Sequence, residues 1–261
     1  MTEQSLQGVA VLVTRPERLA AELNSAIEAA GGSAIAFPVI RIEVLDPADV
    51  AGEAERLPVP DIVIFVSRNA VDHGLAYHAP GLAKFAAIGP ATRAAIERAG
   101  HTVDITAVDG FDSEHLLAVA ELQDIAGKIV RIVHGGAGRD HLARELRLRG
   151  ALVNYLPVYR RLPAAHSGAE IKRLQNRWQA GGIHVVTAMS VESFDNLWSI
   201  LPVEAHHLLQ CTPLVTPSRR VIQTMNEKIP GSPAFLAAGP QAADMLQALI
   251  AATAPGTRHD A

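Results

Sequence analysis

Short apolar, β-branched runs recur along this chain, each followed by an amphipathic helical pattern. That alternation admits few folds other than βαβ units built around parallel sheets. The runs fall at Val9–Thr14, Ser33–Phe37, Ile62–Val66, Phe85–Ile88, Val103–Ile105, Lys128–Val133, Leu152–Leu156, His184–Thr187, Pro213–Thr216 and Ala234–Ala237. The helical stretch Pro16–Ala30 puts Leu19, Leu23, Ile27 and Ala30 on one stripe and stops at Gly31-Gly32. His141–Arg149 does the same with Leu142, Leu146 and Leu148, stopping at Gly150. Apolar residues make up 49% of the chain but aromatics only 4%, so the core is Ala, Val, Ile and Leu, as suits sheets buried on both faces. So many strands overfill a typical open sheet, and two sheets of about five strands each are expected.

The chain also repeats itself. Gly8 and Gly127 open matching strands, Gly31 and Gly150 end matching helices, and Pro38 and Pro157 follow matching second strands (127 − 8, 150 − 31 and 157 − 38 are all 119). The register holds through Val39/Val158 and Arg41/Arg160. A second echo runs from Asp61–Ser67 to Gly182–Ala188, and a third from Phe85–Pro90 to Phe235–Pro240. Three echoes in one order argue for two copies of one α/β fold. Pro38–Glu43 and Tyr155–Pro163 are extended and proline-flanked, suited to a pair of linking strands at about 38–43 and 155–163. The expected organisation is a discontinuous domain of residues 1–40 plus 162–261, with 41–156 as an inserted domain. Open α/β sheets bind ligands at the carboxyl ends of their strands, so two facing sheets would form a cleft.

Charge narrows the partners. With 23 basic and 27 acidic residues the chain is net −4, which argues against general nucleic-acid binding. Any anionic ligand must be drawn by local positive potential. Cys211 is the single cysteine; a disulfide framework is impossible, and a reducing, cytoplasmic compartment is expected. Met1–Gln7 is polar and predicts no secretion signal, and no apolar stretch approaches membrane-spanning length. Within the apolar run Leu208–Val215, Cys211 reads as a core residue, whereas His206-His207 beside Glu204 reads as solvated surface, since adjacent histidines diverge on a helix.

The residues just after the strands carry the candidate chemistry. They are Thr14-Arg15-Pro16, Ser67-Arg68-Asn69, Gly89-Pro90-Ala91-Thr92 and His134-Gly135-Gly136-Ala137-Gly138-Arg139, then Thr187-Ala188-Met189-Ser190, Thr216-Pro217-Ser218-Arg219 and Gly239-Pro240-Gln241. Strand-to-helix turns offer unpaired N–H groups at a positive helix end, and hydroxyls and arginine forks add donors for carboxylate or phosphate. Ser67, Asn69, Thr92, Ser190 and Ser218 serve equally well as helix caps. Arginine at four turns (Arg15, Arg68, Arg139, Arg219) exceeds what capping needs. Gly135–Gly138 lacks the spacing of a dinucleotide loop, the first strand is followed by Thr14-Arg15-Pro16 instead of glycines, and no Walker lysine, nucleophile elbow or zinc motif occurs. No cofactor and no metal are expected.

The segments VIFVSRNAV (63–71), AAIGPATRAAIERAG (86–100), the run 127–161 and PLVTPSRRV followed by AAGPQAADML (213–246) together resemble the uroporphyrinogen-III synthase family. The resemblance spans Gly8 to Ile250. It implies two flavodoxin-like α/β domains joined by a two-stranded linker, and dehydrating cyclisation of hydroxymethylbilane with inversion of ring D, a step of tetrapyrrole (heme) biosynthesis. That substrate carries eight carboxylates, which gives donors on many turns a common purpose. Residue by residue, Ser67 and Arg68 match the family's Ser-x-Asn/Arg turn, Thr92 its Gly-x-x-Thr turn, and Tyr159 the tyrosine proposed to help the hydroxyl leave. Tyr159 serves equally well as linker packing. The turn residues Thr14, Arg15, Asn69, Gly89, His134, Gly135, Arg139, Thr187, Ser190, Ser218, Arg219, Gly239 and Gln241 are the further candidates for substrate binding. Ala188-Met189 and Ala242 depart from the family's usual Ser-Pro and threonine. A monomer is expected, with transient contact to the preceding pathway enzyme. The opposing reading is a non-catalytic sensor for small anions, against which the scarcity of aromatics counts.

Overall fold

Each β-branched run singled out in the sequence supplies a strand to one of two five-stranded parallel sheets. The computed structural model describes residues 5–79, 81–107, 110, 112–136 and 140–254. The chain begins with β1 (Ala10–Val13), α1 (Glu17–Ala29), β2 (Ser33–Ala36), β3 (Ile40–Val44), α2 (Pro47–Arg56) and β4 (Ile62–Phe65). It continues with α3 (Arg68–Gly74), β5 (Lys84–Ala87), α4 (Pro90–Arg98), β6 (Ile105–Thr106), α5 (Ser113–Leu117), β7 (Ile129–His134), α6 (Asp140–Leu148) and β8 (Leu152–Pro157). Then come β9 (Tyr159–Pro163), α7 (Gly168–Gln179), β10 (Val185–Thr187), α8 (Val191–Ile200), α9 (His206–Cys211), β11 (Leu214–Thr216), α10 (Arg219–Lys228), β12 (Ala234–Leu236) and α11 (Ala242–Thr253).

The sheet orders are β12-β11-β10-β1-β2 and β6-β5-β4-β7-β8. Place for place, β1 answers to β7, β2 to β8 and β10 to β4, so the second sheet is a circular permutation of the first. The 119-residue repeat survives in the register, with Ala10 paired to Ser33 and Ile129 to Leu152. It survives in the backbone too: Gly31 (φ 85°) and Gly150 (φ 83°) both end their helices in the left-handed conformation that favours glycine. The third echo does not mark equivalent strands. β5 lies beside β4, whereas β12 is an edge strand with β11 separating it from β10. The Gly-Pro that follows both is a local way to start a helix, with proline at a position that needs no N–H, and it says nothing about place in a sheet.

The chain divides into two compact units, residues 1–41 with 162–261, and Ile42–Arg161. Each has its own core. In the first, Val11 and Val13 of β1 pack with Val185, Val215 and the inner faces of α1 and α11. The alternate residues Leu12, Val186 and Leu214 are equally buried, so both faces of that sheet are covered. In the second, Val63, Ile64 and Phe65 of β4 and Ile132 and Val133 of β7 lie at the centre, with Leu142 and Leu146 of α6 against them. β3 and β9 form a separate two-stranded ribbon. Leu45 N–H donates to the Val158 carbonyl (3.2 Å) and Ala164 N–H to that of Val39 (3.1 Å), which is antiparallel pairing. Tyr155–Pro157 continue β8 in register with Ile132–His134, so the ribbon's second strand starts at Tyr159.

Four side chains depart from their expected places. α1 buries Ala20 instead of Leu19, and α6 buries Ala143 while Leu148 is 74% exposed. The rest of each stripe is buried as expected, Leu23, Ile27 and Ala30 in α1 and Leu142 and Leu146 in α6. Leu148 stands two residues past Leu146, about 200° around a helix of 3.6 residues per turn, and so faces out. Cys211 is exposed, not core: α9 is short, and its Leu208 and Leu209 take the inward face. His206 is no solvated surface residue. Its ring stacks on Trp198 at 3.6 Å, and Nε2 lies 3.0 Å from the Trp198 carbonyl.

The second unit also buries a cation. Arg131, on the fully enclosed stretch of β7, donates from Nε to Asn154 Oδ1 (3.1 Å) and from Nη2 to the Pro58 carbonyl (2.8 Å). Burial lowers its pKa. The ring of His78 stands edge-on to Phe65, and burial, with the Arg131 charge adding, pushes its pKa down to about 4.

Candidate functional site

In the second unit, β4 delivers Ser67 at its carboxyl end in extended conformation (φ −165°), directly ahead of α3. The Ser67 hydroxyl oxygen accepts the Ala70 N–H at 3.2 Å and lies 3.0 Å from the Tyr159 hydroxyl. Ser67 therefore is the cap of α3, and it is also the hydrogen-bonding partner of the one candidate acid. Ninety-two residues separate serine and tyrosine in sequence. Tyr159, the first residue of β9, is 4% exposed and belongs to the core of its unit. Its ring covers Gly135, where a Cβ would lie 1.9 Å from Tyr159 Cε2 and 2.0 Å from Cζ. The His73 ring stands 6.4 Å away, tilted.

Other candidates share this carboxyl-end neighbourhood. Asn69 and Thr92 are buried, and Arg68 is half-buried. Gly89 is the cap position of α4, offers no side-chain bond and accepts the N–H groups of Thr92 and Arg93, each at 3.0 Å. His134 Nδ1 lies 2.7 Å from the Gly136 carbonyl. A carbonyl only accepts, so Nδ1 carries the hydrogen of this bond. Arg139 lies outside the described residues.

In the first unit the candidates divide. Thr14 and Thr187 are fully buried: the Thr14 hydroxyl donates to the Thr187 carbonyl (2.6 Å), and the Thr187 hydroxyl to the Leu12 carbonyl (3.2 Å). Both are among the expected substrate-binding residues; in the fold their hydroxyls fasten β1 to β10, because a hydroxyl without water must find a partner. Ser190 caps α8, accepting the Ser193 N–H at 3.2 Å. Ser218 stands at the cap position of α10 without a side-chain cap bond, its N–H donating to Thr216 Oγ1 (3.2 Å). Arg15 reaches the Pro240 carbonyl (3.4 Å). Arg219 is exposed on the α10 face formed with Ile222, Gln223, Asn226 and Glu227, beside a surface hollow of about 450 Å³. At Gly239 a Cβ would come within 2.6 Å of both Asp244 Oδ2 and Gln241 Oε1, so these two side chains close over the turn.

Sequence reasoning missed three features here. Gly135 matters for the missing Cβ under Tyr159, His73 stands beside that ring, and Asp244 adds a carboxylate to an expected anion turn. The first two depend on approach between elements apart in sequence, whereas Asp244 is only five residues beyond Gly239. His73 offered a weak signal, one helical turn beyond Asn69 on α3. Among the described residues no three His, Cys, Asp or Glu side chains gather as metal ligands, and no helix is long and apolar enough to cross a membrane.

Comparison with known proteins gives this arrangement a family. The model for "Uroporphyrinogen-III synthase HemD" matches residues 21–249. The uroporphyrinogen-III synthase of Escherichia coli (strain K12) is 32% identical over 220 residues, covering 81% of this chain and 88% of that protein. That of Salmonella typhimurium is 33% identical over 231 residues, with the same coverage. The crystal structure of a mutant uroporphyrinogen III synthase from the extremely thermophilic bacterium Thermus thermophilus aligns with a TM-score of 0.61 at 18% identity, over 94% of this chain and 98% of that one, a likeness of fold. With a family model matched across most of its length and relatives about one-third identical, the chain belongs to the uroporphyrinogen-III synthase family.

Proposed function

We propose that the chain closes hydroxymethylbilane into uroporphyrinogen III, a cyclising hydro-lyase step of tetrapyrrole biosynthesis. The observation that carries the reading is the family match over residues 21–249, seconded by relatives that bear this enzyme's name. Loss of the terminal hydroxyl as water leaves an azafulvenium cation. Ring D is then attacked at its substituted carbon, giving a spiro intermediate that resolves with ring D inverted. The cation is stabilised by the pyrrole itself, so the protein's work is to fold the chain and protonate the leaving group.

Tyr159 is the acid in this reading, supported by its hydroxyl pairing with Ser67 at the carboxyl end of β4. The substrate's carboxylates are taken up by Arg15, Arg68 and Arg219, by the turns at Gly89, His134-Gly135, Ser190, Ser218 and Gly239–Gln241, and by Asn69 and Thr92. Arg139 joins them on its sequence position alone. The two compact units act as domains linked by the β3–β9 ribbon. The reading takes the protein as a cytoplasmic monomer that needs no cofactor and meets the preceding pathway enzyme in passing. The sensor reading loses its ground, since the relatives carry the name of a synthase.

Supplying hydroxymethylbilane and separating the product isomers tests the proposal. The type III isomer should form faster than the spontaneous type I isomer. Type I alone, at the uncatalysed rate, would overturn it. Exhaustive chelation should leave the rate unchanged.

A further inference from the structure

We propose that Ser67 and Gly135 are positioning residues for the Tyr159 phenol, Ser67 by setting which way its hydroxyl hydrogen points and Gly135 by leaving room for the ring. The inference rests on the reading of Tyr159 as the acid and deepens it. A phenol can protonate a leaving hydroxyl only if its hydrogen is not already given to a protein acceptor. Ser67 Oγ accepts the Ala70 N–H at 3.2 Å. An oxygen polarised by an accepted hydrogen bond becomes the better donor of its own hydrogen. At 3.0 Å the serine hydroxyl then donates to the phenol oxygen, and the phenol hydrogen is left for the substrate.

Ring placement is the second half of the device. A methyl group on residue 135 would meet Tyr159 Cε2 at 1.9 Å and Cζ at 2.0 Å, the end of the ring that bears the hydroxyl. Tyr159 is 4% exposed and packed in the core of its unit, so the ring cannot swing aside into solvent. Glycine at 135 is required by the tyrosine and not by the backbone, since its φ does not fall in the left-handed range. In the step so served, the carbon–oxygen bond of the hydroxymethyl group breaks, the phenol hydrogen goes to the departing hydroxide, and water leaves. The proton lost when the macrocycle forms restores the phenol, so nothing is oxidised or reduced.

The experiment compares kcat and KM for hydroxymethylbilane in the full chain and in Tyr159→Phe, Ser67→Ala, Ser67→Thr, Gly135→Ala and the double variant Ser67→Ala/Tyr159→Phe, with thermal melts on each. Ser67→Ala should lower kcat roughly 3- to 10-fold, the worth of one hydrogen bond, at nearly unchanged KM. Ser67→Thr, which keeps cap and hydroxyl, should restore it. In the Tyr159→Phe background the serine change should add no further loss, because its effect passes through the phenol. Gly135→Ala should reproduce the kcat loss of Tyr159→Phe, also without a rise in KM. If Tyr159→Phe itself leaves kcat untouched, the acid reading fails. If Tyr159→Phe lowers kcat but Ser67→Ala does not, or lowers it equally with and without the phenol, the positioning role is wrong. Should Gly135→Ala fail to fold, the serine comparison still decides.

Discussion

Arg68 and Arg219 both follow strand ends, yet one is half-buried and the other lies open on α10. Charge-assisted contacts keep more of their strength where water is thinned out. Arg68→Ala is therefore expected to raise KM by the equivalent of about 1.5–3 kcal/mol, and Arg219→Ala by less than about 1 kcal/mol, with neither abolishing turnover. Steady-state kinetics on the two variants check the ranking. His78 makes a prediction about pH. The fold keeps it neutral down to about pH 4, whereas the unfolded chain takes up its proton near 6.5. The unfolded state binds more protons in that window, so stability is full above pH 6.5 and falls as pH drops toward 4, by on the order of 3 kcal/mol in all. Urea midpoints should show a loss of about 2 kcal/mol between pH 7 and pH 5, and a clearly smaller loss in His78→Gln.

At the scale of elements, α7 shows a stability device with no stake in the site. Ser167 Oγ accepts the Glu170 N–H (3.3 Å), and Glu170 Oε2 accepts the Ser167 N–H (2.8 Å), a reciprocal capping box. Ser167→Ala should cost about 1 kcal/mol in unfolding free energy while leaving turnover per folded molecule unchanged. Parallel melts and rates would show it, and a fall in rate without a fall in stability would contradict it. The serine with a glutamate three residues on is readable in the sequence. So are the strands, because β-branched runs bounded by Gly and Pro leave little choice. What escaped was the finer rotation of helices: Leu148 fits a leucine row on paper and ends 74% exposed. Cys211 escaped likewise, since an apolar neighbourhood in sequence does not say which side of a short helix faces inward.

For the molecule as a whole, the contiguous unit Ile42–Arg161 carries its own sheet, its own core and the Ser67–Tyr159 pair. Expressed alone, residues 42–161 are expected to unfold in one cooperative urea transition with helical and strand signals lost together. On the proposed reading, in which turns of residues 1–41 and 162–261 also hold the substrate, the fragment should not convert hydroxymethylbilane to the type III isomer. A gradual, non-cooperative loss of signal would show that its core does not suffice.

The sequence by itself determined the α/β class, the places of the strands, the doubling of the fold and the family, because each is written in local periodicity or in ordered motifs. Gly31 and Gly150 carry the repeat legibly, since a helix end in the left-handed conformation asks for glycine whatever surrounds it. Only the tertiary structure decided which partners these turn residues meet. The same Thr-Arg and Ser-Arg turns look alike as text, yet the Thr14 hydroxyl is consumed inside the sheet while Ser67 is turned to a tyrosine ninety-two residues away. Nor could the succession of strands along the chain show that β5 and β12 take different places in their sheets. Hydrogen-bond partners and close approaches are set by which elements the folded chain brings within about 3 Å, and sequence separation carries no record of that distance.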